Sequence, residues 1–300
     1  MNTQLGRYKQ SGFSLIELLV VIAIIGVLIA LVLAGVQRVR ASADRVECQN
    51  NLRQIGMALH GYHGTHSSLP PGHGKTDGSD PFPSLGWQAR LLPFVERENE
   101  WKEIPAAYKA QPLPFFNPPH ENISRVVGIY TCPADTRTTI PQEPRDFPVA
   151  LTSFVGVEGK NQLTQDGVLF NGSKIRFASI IDGTSNTLMV AERPPSADMW
   201  FGWWYAGQGQ QDDGSADMIL GSNERVTFLG EFPDCPAISP GYGPGSIGNK
   251  CDTLHYWSLH PGGANFLFCD GSVHFLTYDA APLMPALATR AGREVVALPD

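Results

Sequence analysis

The sequence contains no G-x-S-x-G nucleophile elbow, no H-E-x-x-H metal pair and no phosphate-cradling P-loop, which removes the commonest hydrolase, metalloprotease and nucleotide-dependent readings. Basic charge is short. The 22 Lys and Arg against 29 Asp and Glu leave a formal net charge of -7, so no nucleic-acid partner is expected. Charge of either sign is missing altogether from Leu18 to Val36, nineteen residues, a length that spans a bilayer core as a helix. An ordinary secretory signal would need an A-x-A site after that run, and Ala30 and Ala34 in LIALVLAGVQ do not have that spacing. No internal repeat or low-complexity tract is present. With 42% hydrophobic and 17% charged residues the chain still has material for a sizeable core.

What is present starts with GFSLIELLVV, in which Glu17 stands at the mouth of the apolar run. A carboxylate in lipid costs about 2.5 to 3.5 kcal/mol on insertion scales, so it needs a partner. Cleavage between Gly12 and Phe13 would supply one: a new chain-terminal ammonium four residues back along the same helix, or that of a neighbouring subunit. The preceding MNTQLGRYKQSG carries Arg7 and Lys9 and is expected to stay cytoplasmic, leaving the bulk of the protein outside. GFSLIELLVVIAIIGVLIALVLAGV resembles the class III signal of type IV prepilins and type II secretion pseudopilins. That resemblance implies a cut after Gly12 by a prepilin peptidase, N-methylation of Phe13, and a role for Glu17 in assembly.

Beyond the run, Cys48, Leu52, Ile55, Leu59 and Tyr62 are spaced as the stripe of an amphipathic helix. One helix is expected from Phe13 to about His63, stopped by Pro70-Pro71-Gly72. His60, His63 and His66, three apart, read as partly exposed residues near its C-terminus rather than metal ligands. The remainder is turn-rich, with most of the 31 glycines and 24 prolines. RVVGIYTC, TSFVGV, DGVLF, TLMVAE, NFLFC and SVHFL read as short strands. Gln88 to Trp101 reads as a second helix despite Pro93, and residues 194–250 as long surface loops. The expected class is α+β: a pilin-like long N-terminal helix packed on a globular part rich in antiparallel strands. The expected segments are 1–12 leader, 13–36 membrane-spanning and assembly helix, 37–66 amphipathic continuation and 67–300 globular domain.

In HPGGANFLFCDGSVHFL, Asp270-Gly271 separates two alternating apolar segments, the signal of a two-residue type I′ hairpin. His260 precedes Asp270 by ten residues. A cation reading draws on His255, His260, Asp270 and His274, whereas a purely structural hairpin with an ordering histidine needs no ion and is favoured. No resident cofactor is expected. Of the five cysteines, Cys48 with Cys132 would staple the helix to the globular part, and Cys235 with Cys251 would close a loop; spacing fixes neither pairing. Cys269 reads as a buried free thiol. Ser185 in DGTSNT belongs to a polar turn rather than to a nucleophile. Trp200, Trp203, Trp204 and Tyr205 form either a stacking platform for a ligand or a set of core plugs.

The resemblance extends along the chain. CQNNLRQIGMALHGYHGTH with LPPG, then GWQARLLPFVE, IYTCPAD, TSFVGV, DGVLF, RFASIIDGTSNTLMVAE and HPGGANFLFCDGSVHF resemble, in order, the blocks of the bacterial family called domain of unknown function 1559, which joins a prepilin leader to an H-x9-DG domain. The family implies a non-enzymatic, pseudopilin-like subunit: single-pass in the inner membrane, its C-terminal domain in the periplasm or at the cell surface. Its expected partners are copies of itself or other pseudopilins and inner-membrane components of a secretion system. The alternative is a membrane-tethered extracytoplasmic binding protein for a solute, glycan or metal.

Overall fold

The computed structural model describes residues 14–144, 146–228, 230, 232–294 and 296, Ala34 without its side chain. The chain divides into two compact units, Met1–Ala43 and Asp44–Asp300. A single 52-residue helix, α1 (Leu15–His66), contributes to both. It contains no proline, opens with Glu17 in its first turn and closes with His63 and His66 in its last, charges that suit the two ends of the helix dipole.

In the second unit the helix buries Cys48, Leu52, Ile55, Ala58 and Leu59. Leu52, Ile55, Ala58 and Leu59 join a core with Trp87, Leu91, Tyr130, Phe154, Val190 and Leu267. Gly56 permits the approach: a Cβ there would lie 2.9 Å from Leu267 Cδ1. Tyr62, the last residue of the stripe, packs half-buried on the same core.

The five strands are β1 (Phe154–Gly159), β2 (Leu188–Glu192), β3 (Ile219–Gly221), β4 (Gly263–Phe268) and β5 (Val273–Thr277), in spatial order β3-β1-β2-β4-β5. The β1–β2, β2–β4 and β4–β5 pairs are antiparallel, and β3 runs parallel to β1, so the sheet is mixed. β4 is buried on both faces, which explains why it reads as an apolar run. Leu267 faces the α1 core, while Ala264, Phe266 and Phe268 enter a second core with Tyr242, Tyr256 and Leu254.

Several expectations need correction. The second helix is three pieces: α2 (Trp87–Arg90), a 3-10 turn at Leu92–Phe94 and α3 (Glu98–Ala110). Pro93 sits in the turn, and Glu96 adopts φ 61°, which no helix accommodates. RVVGIYTC forms a 3-10 turn at Gly128–Tyr130 rather than a strand. DGVLF runs beside β1 without becoming a strand, its Gly167 N–H donating to Glu158 O and its Val168 N–H to Val157 O. The hairpin is not a type I′ turn: Gly271 has φ 89° but Asp270 is not left-handed. Gly271 N–H donates to Phe268 O and Phe268 N–H to Ser272 O, the pattern of a longer loop closed by a left-handed glycine. Residues 194–250 are not simply surface loops, since they supply β3 and the buried Phe201, Trp203, Trp204, Tyr205, Phe232 and Tyr242. Buried polar anchors hold them in. Asp217 Oδ1 accepts from the N–H groups of Gly202 and Trp203, and the fully buried Arg193 donates to Asp217 O at 2.6 Å. Burial lowers the Arg193 pKa to about 10, which leaves it charged at neutral pH.

Glu158 on β1 and Glu224 after β3 are both buried, and their side chains hydrogen-bond to each other. Burial raises both, Glu224 to about 7, with Asp213 and Asp166 nearby adding to the effect on Glu158. The native state therefore holds more protons than the unfolded chain above the ordinary glutamate pKa. The pair's stabilisation is complete below that value and is lost as pH rises through the folded values. For Glu224 the shift to about 7 corresponds to roughly 3 kcal/mol. Glu158→Gln, which still donates to Glu224 but cannot ionise, is expected to flatten the fall in melting temperature between mildly acidic and mildly basic pH. An unchanged pH profile in that variant would show that the pair does not titrate with folding.

Candidate functional site: an apolar assembly helix and a buried histidine cluster

Gly12 and Phe13 lie outside the described residues. Glu17 is exposed, and its Oε2 accepts a 2.8 Å hydrogen bond from Ser14 N–H, so the carboxylate folds back over the amino-terminal end of the helix. Around it Leu15, Ile16, Leu18, Leu19, Ile22 and Ile25 are all solvent-facing. No polar face interrupts them. This is the one helix among the described residues long and apolar enough to cross a membrane. Such a surface is stable only in lipid or against other apolar helices.

In the second unit, four side chains with metal-binding atoms converge: Cys48 on α1, Cys132 after the Gly128–Tyr130 turn, Glu192 at the end of β2, and His260 in the loop before β4. Cys48 and Cys132 form a disulfide. His260 Nε2 lies 3.4 Å from Cys132 Sγ and 3.3 Å from Glu192 Oε1. Glu192 is held rigidly, Oε2 accepting from Asn265 N–H at 2.6 Å and Oε1 from Asn265 Nδ2 at 3.0 Å. Asn265 Oδ1 in turn accepts from Gln49 Nε2 of α1. Ser258 Oγ accepts from His260 N–H and donates to Gly263 O, which fixes the loop that carries the histidine.

The four residues His255, His260, Asp270 and His274 do not form one site. His260 and Asp270 flank β4 at opposite ends, so its six residues, at about 3.4 Å each, place them roughly 20 Å apart. Asp270 Oδ1 accepts from Ser272 N–H within its own turn, and His274 lies against Ser272 Oγ. His255 is buried 3.8 Å from Asp252, and burial lowers its pKa. His63 accepts from Phe177 N–H, and both His60 and His63 pack on the Phe177 ring. Cys235 and Cys251 form the second disulfide, and Cys269 is a buried free thiol whose pKa burial raises strongly. The turn at Ser185 is a 3-10 segment, Thr184–Asn186, tied by Asn186 Nδ2 to Asp182 O.

The aromatic segment divides. Trp204 and Tyr205 are core plugs: Trp204 Nε1 donates to Arg125 O, and the Tyr205 hydroxyl meets His120 Nδ1 at 2.9 Å. Trp200 and Trp203, with Phe115, Gln208 and Gln210, line a cavity of about 260 Å³. Glu192, Asn265 and Gln49 were not singled out by sequence reasoning. The available signal was one acid and one amide inside apolar strand segments, TLMVAE and NFLFC, where an unpartnered polar group is costly.

Asn265→Leu keeps the side chain's approximate volume but removes one donor to the buried carboxyl group of Glu192 and the acceptor for Gln49. A loss of about 2 to 3 kcal/mol in unfolding free energy is expected from denaturant titration, against under about 1 kcal/mol for Gln49→Ala at the edge.

Comparison with known proteins adds two matches. The prokaryotic N-terminal methylation motif covers residues 7–33, spanning Gly12, Phe13 and Glu17, and the profile described as protein of unknown function (DUF1559) covers residues 37–283. No curated protein and no solved structure matches the chain. The chain carries an N-terminal apolar helix behind a prepilin-like motif, a single-pass membrane anchor, and over the greater part of its length it belongs to the family described as protein of unknown function (DUF1559).

Proposed function

We propose that this protein is a pseudopilin-like structural subunit. A prepilin peptidase cuts after Gly12, Phe13 becomes the methylated terminus, and the processed chain leaves the inner membrane to join a periplasmic or surface filament linked to secretion or transport. The observation that carries this reading is the first half of α1: apolar on every side, with one carboxylate folded onto its amino-terminal end, under a methylation motif. Such a rod exchanges lipid for copies of itself or of other pseudopilins at little cost in apolar contact. Glu17 cannot make that exchange alone. Beside a neighbouring subunit's ammonium its charge is matched, and this selects one axial register among many that apolar packing would tolerate. The globular unit then coats the filament and meets cargo or secretion components, and no substrate turnover is required.

The membrane-tethered binding protein keeps one specific observation in its favour, the cavity lined by Trp200, Trp203, Gln208 and Gln210, in which aromatic faces and amide groups combine as they do around sugars.

Intact mass of the membrane-extracted chain is expected to begin at Phe13 and to include one methyl group. Glu17→Ala should leave that processing intact and abolish incorporation into filaments, read by shearing and sedimentation. Normal incorporation of the variant would remove Glu17 from assembly. A ligand-dependent rise in melting temperature, lost in Trp200→Ala, would instead favour the binding reading.

A further inference from the structure

The cluster around His260 contains more chemistry than a structural bridge requires. Two sulfurs, an imidazole nitrogen and a carboxylate oxygen lie within 4.8 Å of one another, all buried. With bond lengths of about 2.0 Å to nitrogen or oxygen and 2.3 Å to sulfur, a tetrahedral zinc ion places its nitrogen and oxygen ligands about 3.3 Å apart and its nitrogen and sulfur ligands about 3.6 Å apart. The observed separations are 3.3 Å for His260 to Glu192 and 3.4 Å for His260 to Cys132. The surroundings match as well: Asn265 orients Glu192 with two N–H groups, Gln49 orients Asn265, and Ser258 fixes the His260 backbone. A hydrogen-bonded outer shell of that kind sets ligand geometry at metal sites. A void of about 10 Å³ bordered by Cys132, Glu192, Ser153 and Ser258 lies beside the cluster.

We propose that Cys48, Cys132, Glu192 and His260 form a redox-gated zinc site. In the oxidised chain the sulfurs are bonded to each other and hold no metal. A dithiol reductant passes two electrons and two protons to the bridge, giving two cysteine thiols while the reductant becomes a disulfide. Zinc then binds both sulfurs as thiolates, releasing their two protons to solvent, with the His260 nitrogen and a Glu192 oxygen completing four ligands. Reoxidation, with a disulfide as oxidant, expels the ion. Zinc suits this donor set because thiolate and imidazole favour a borderline-soft cation, and calcium would demand more oxygens. Cys48 belongs to α1 and the other three ligands to the body around it, so the helix stays tied to the globular unit in both redox states.

The test uses the full chain in detergent, reduced anaerobically with a phosphine, freed of reductant and titrated with cobalt as a spectroscopic probe for zinc. One equivalent should produce a thiolate-to-cobalt charge-transfer band and the visible bands of a tetrahedral ion, bleached by zinc. The oxidised chain should show neither. The bands should persist in a Cys235→Ser/Cys251→Ser/Cys269→Ser chain, vanish in Cys48→Ser/Cys132→Ser, and require at least about tenfold more cobalt in His260→Gln or Glu192→Gln. Absence of the bands in the reduced chain, equal bands in the oxidised chain, or indifference to both His260→Gln and Glu192→Gln overturns the proposal. So does loss of the folded circular dichroism spectrum on reduction with equimolar zinc present, because zinc is proposed to replace the bridge.

Discussion

The globular unit depends on the docking of the second half of α1 against β4. Burying Leu52, Ile55 and Leu59 contributes about 1.5 to 3 kcal/mol each. A bridge between residues separated by 84 positions, as Cys48 and Cys132 are, contributes about 4 to 5 kcal/mol in the chain-entropy view. The two are comparable, so the covalent link is as much a part of the docking as the apolar stripe. Gly56 shows how close the approach is, since a side chain there would have to displace Leu267.

That docking explains why a polar network sits at the centre of the molecule. β4 is covered on both faces, and a strand so placed must satisfy every polar side chain within the protein. Asn265 does so by joining Gln49 of α1 to Glu192 of β2. The network adds specificity that apolar packing lacks. Sliding α1 by one helical turn moves Gln49 by about 5.4 Å, beyond reach of Asn265, and leaves the buried Asn265 amide oxygen unmatched. The same arrangement brings His260 against the bridge, because Glu192 both accepts from Asn265 and faces the imidazole.

Sequence periodicity made the helix legible, because Cys48, Leu52, Ile55 and Leu59 repeat as one stripe and the apolar run before them has no polar face. The strands β1, β2, β4 and β5 were legible as short apolar runs between turn residues, the first three being buried along their whole length. What failed were segments whose conformation is set by partners distant in sequence. RVVGIYTC has strand composition, yet Tyr130 turns inward so that its hydroxyl donates to Gln88 O. The stretch 194–250 reads as loop by its glycines, yet the Asp217 and Arg193 hydrogen bonds draw its aromatics into the core. The His260 cluster was half legible. The bridge could be reasoned from one cysteine on the helix stripe and one in a turn, and His260 stood out by its spacing, but the spacing directed attention to Asp270. A strand carries its two ends apart, so the partners of His260 had to come from β2 and from the turn that carries Cys132.

The contacts that hold α1 to the body differ in how they yield. Within Asp44–Asp300, α1 runs on without a break to His66. The apolar stripe gives equilibrium stability, but it can yield a turn at a time, because side chains such as Leu52, Ile55 and Leu59 are nearly interchangeable in shape. A bond at Cys48 has no such intermediate positions. It lies in the first turns of the buried portion, ahead of Leu52 and Ile55, so it pins the start of the packed stripe. Placed at the other end, near Leu59, the same bond would leave the start of the stripe held by packing alone. The position of the cysteine, more than its presence, therefore sets where α1 is held most firmly.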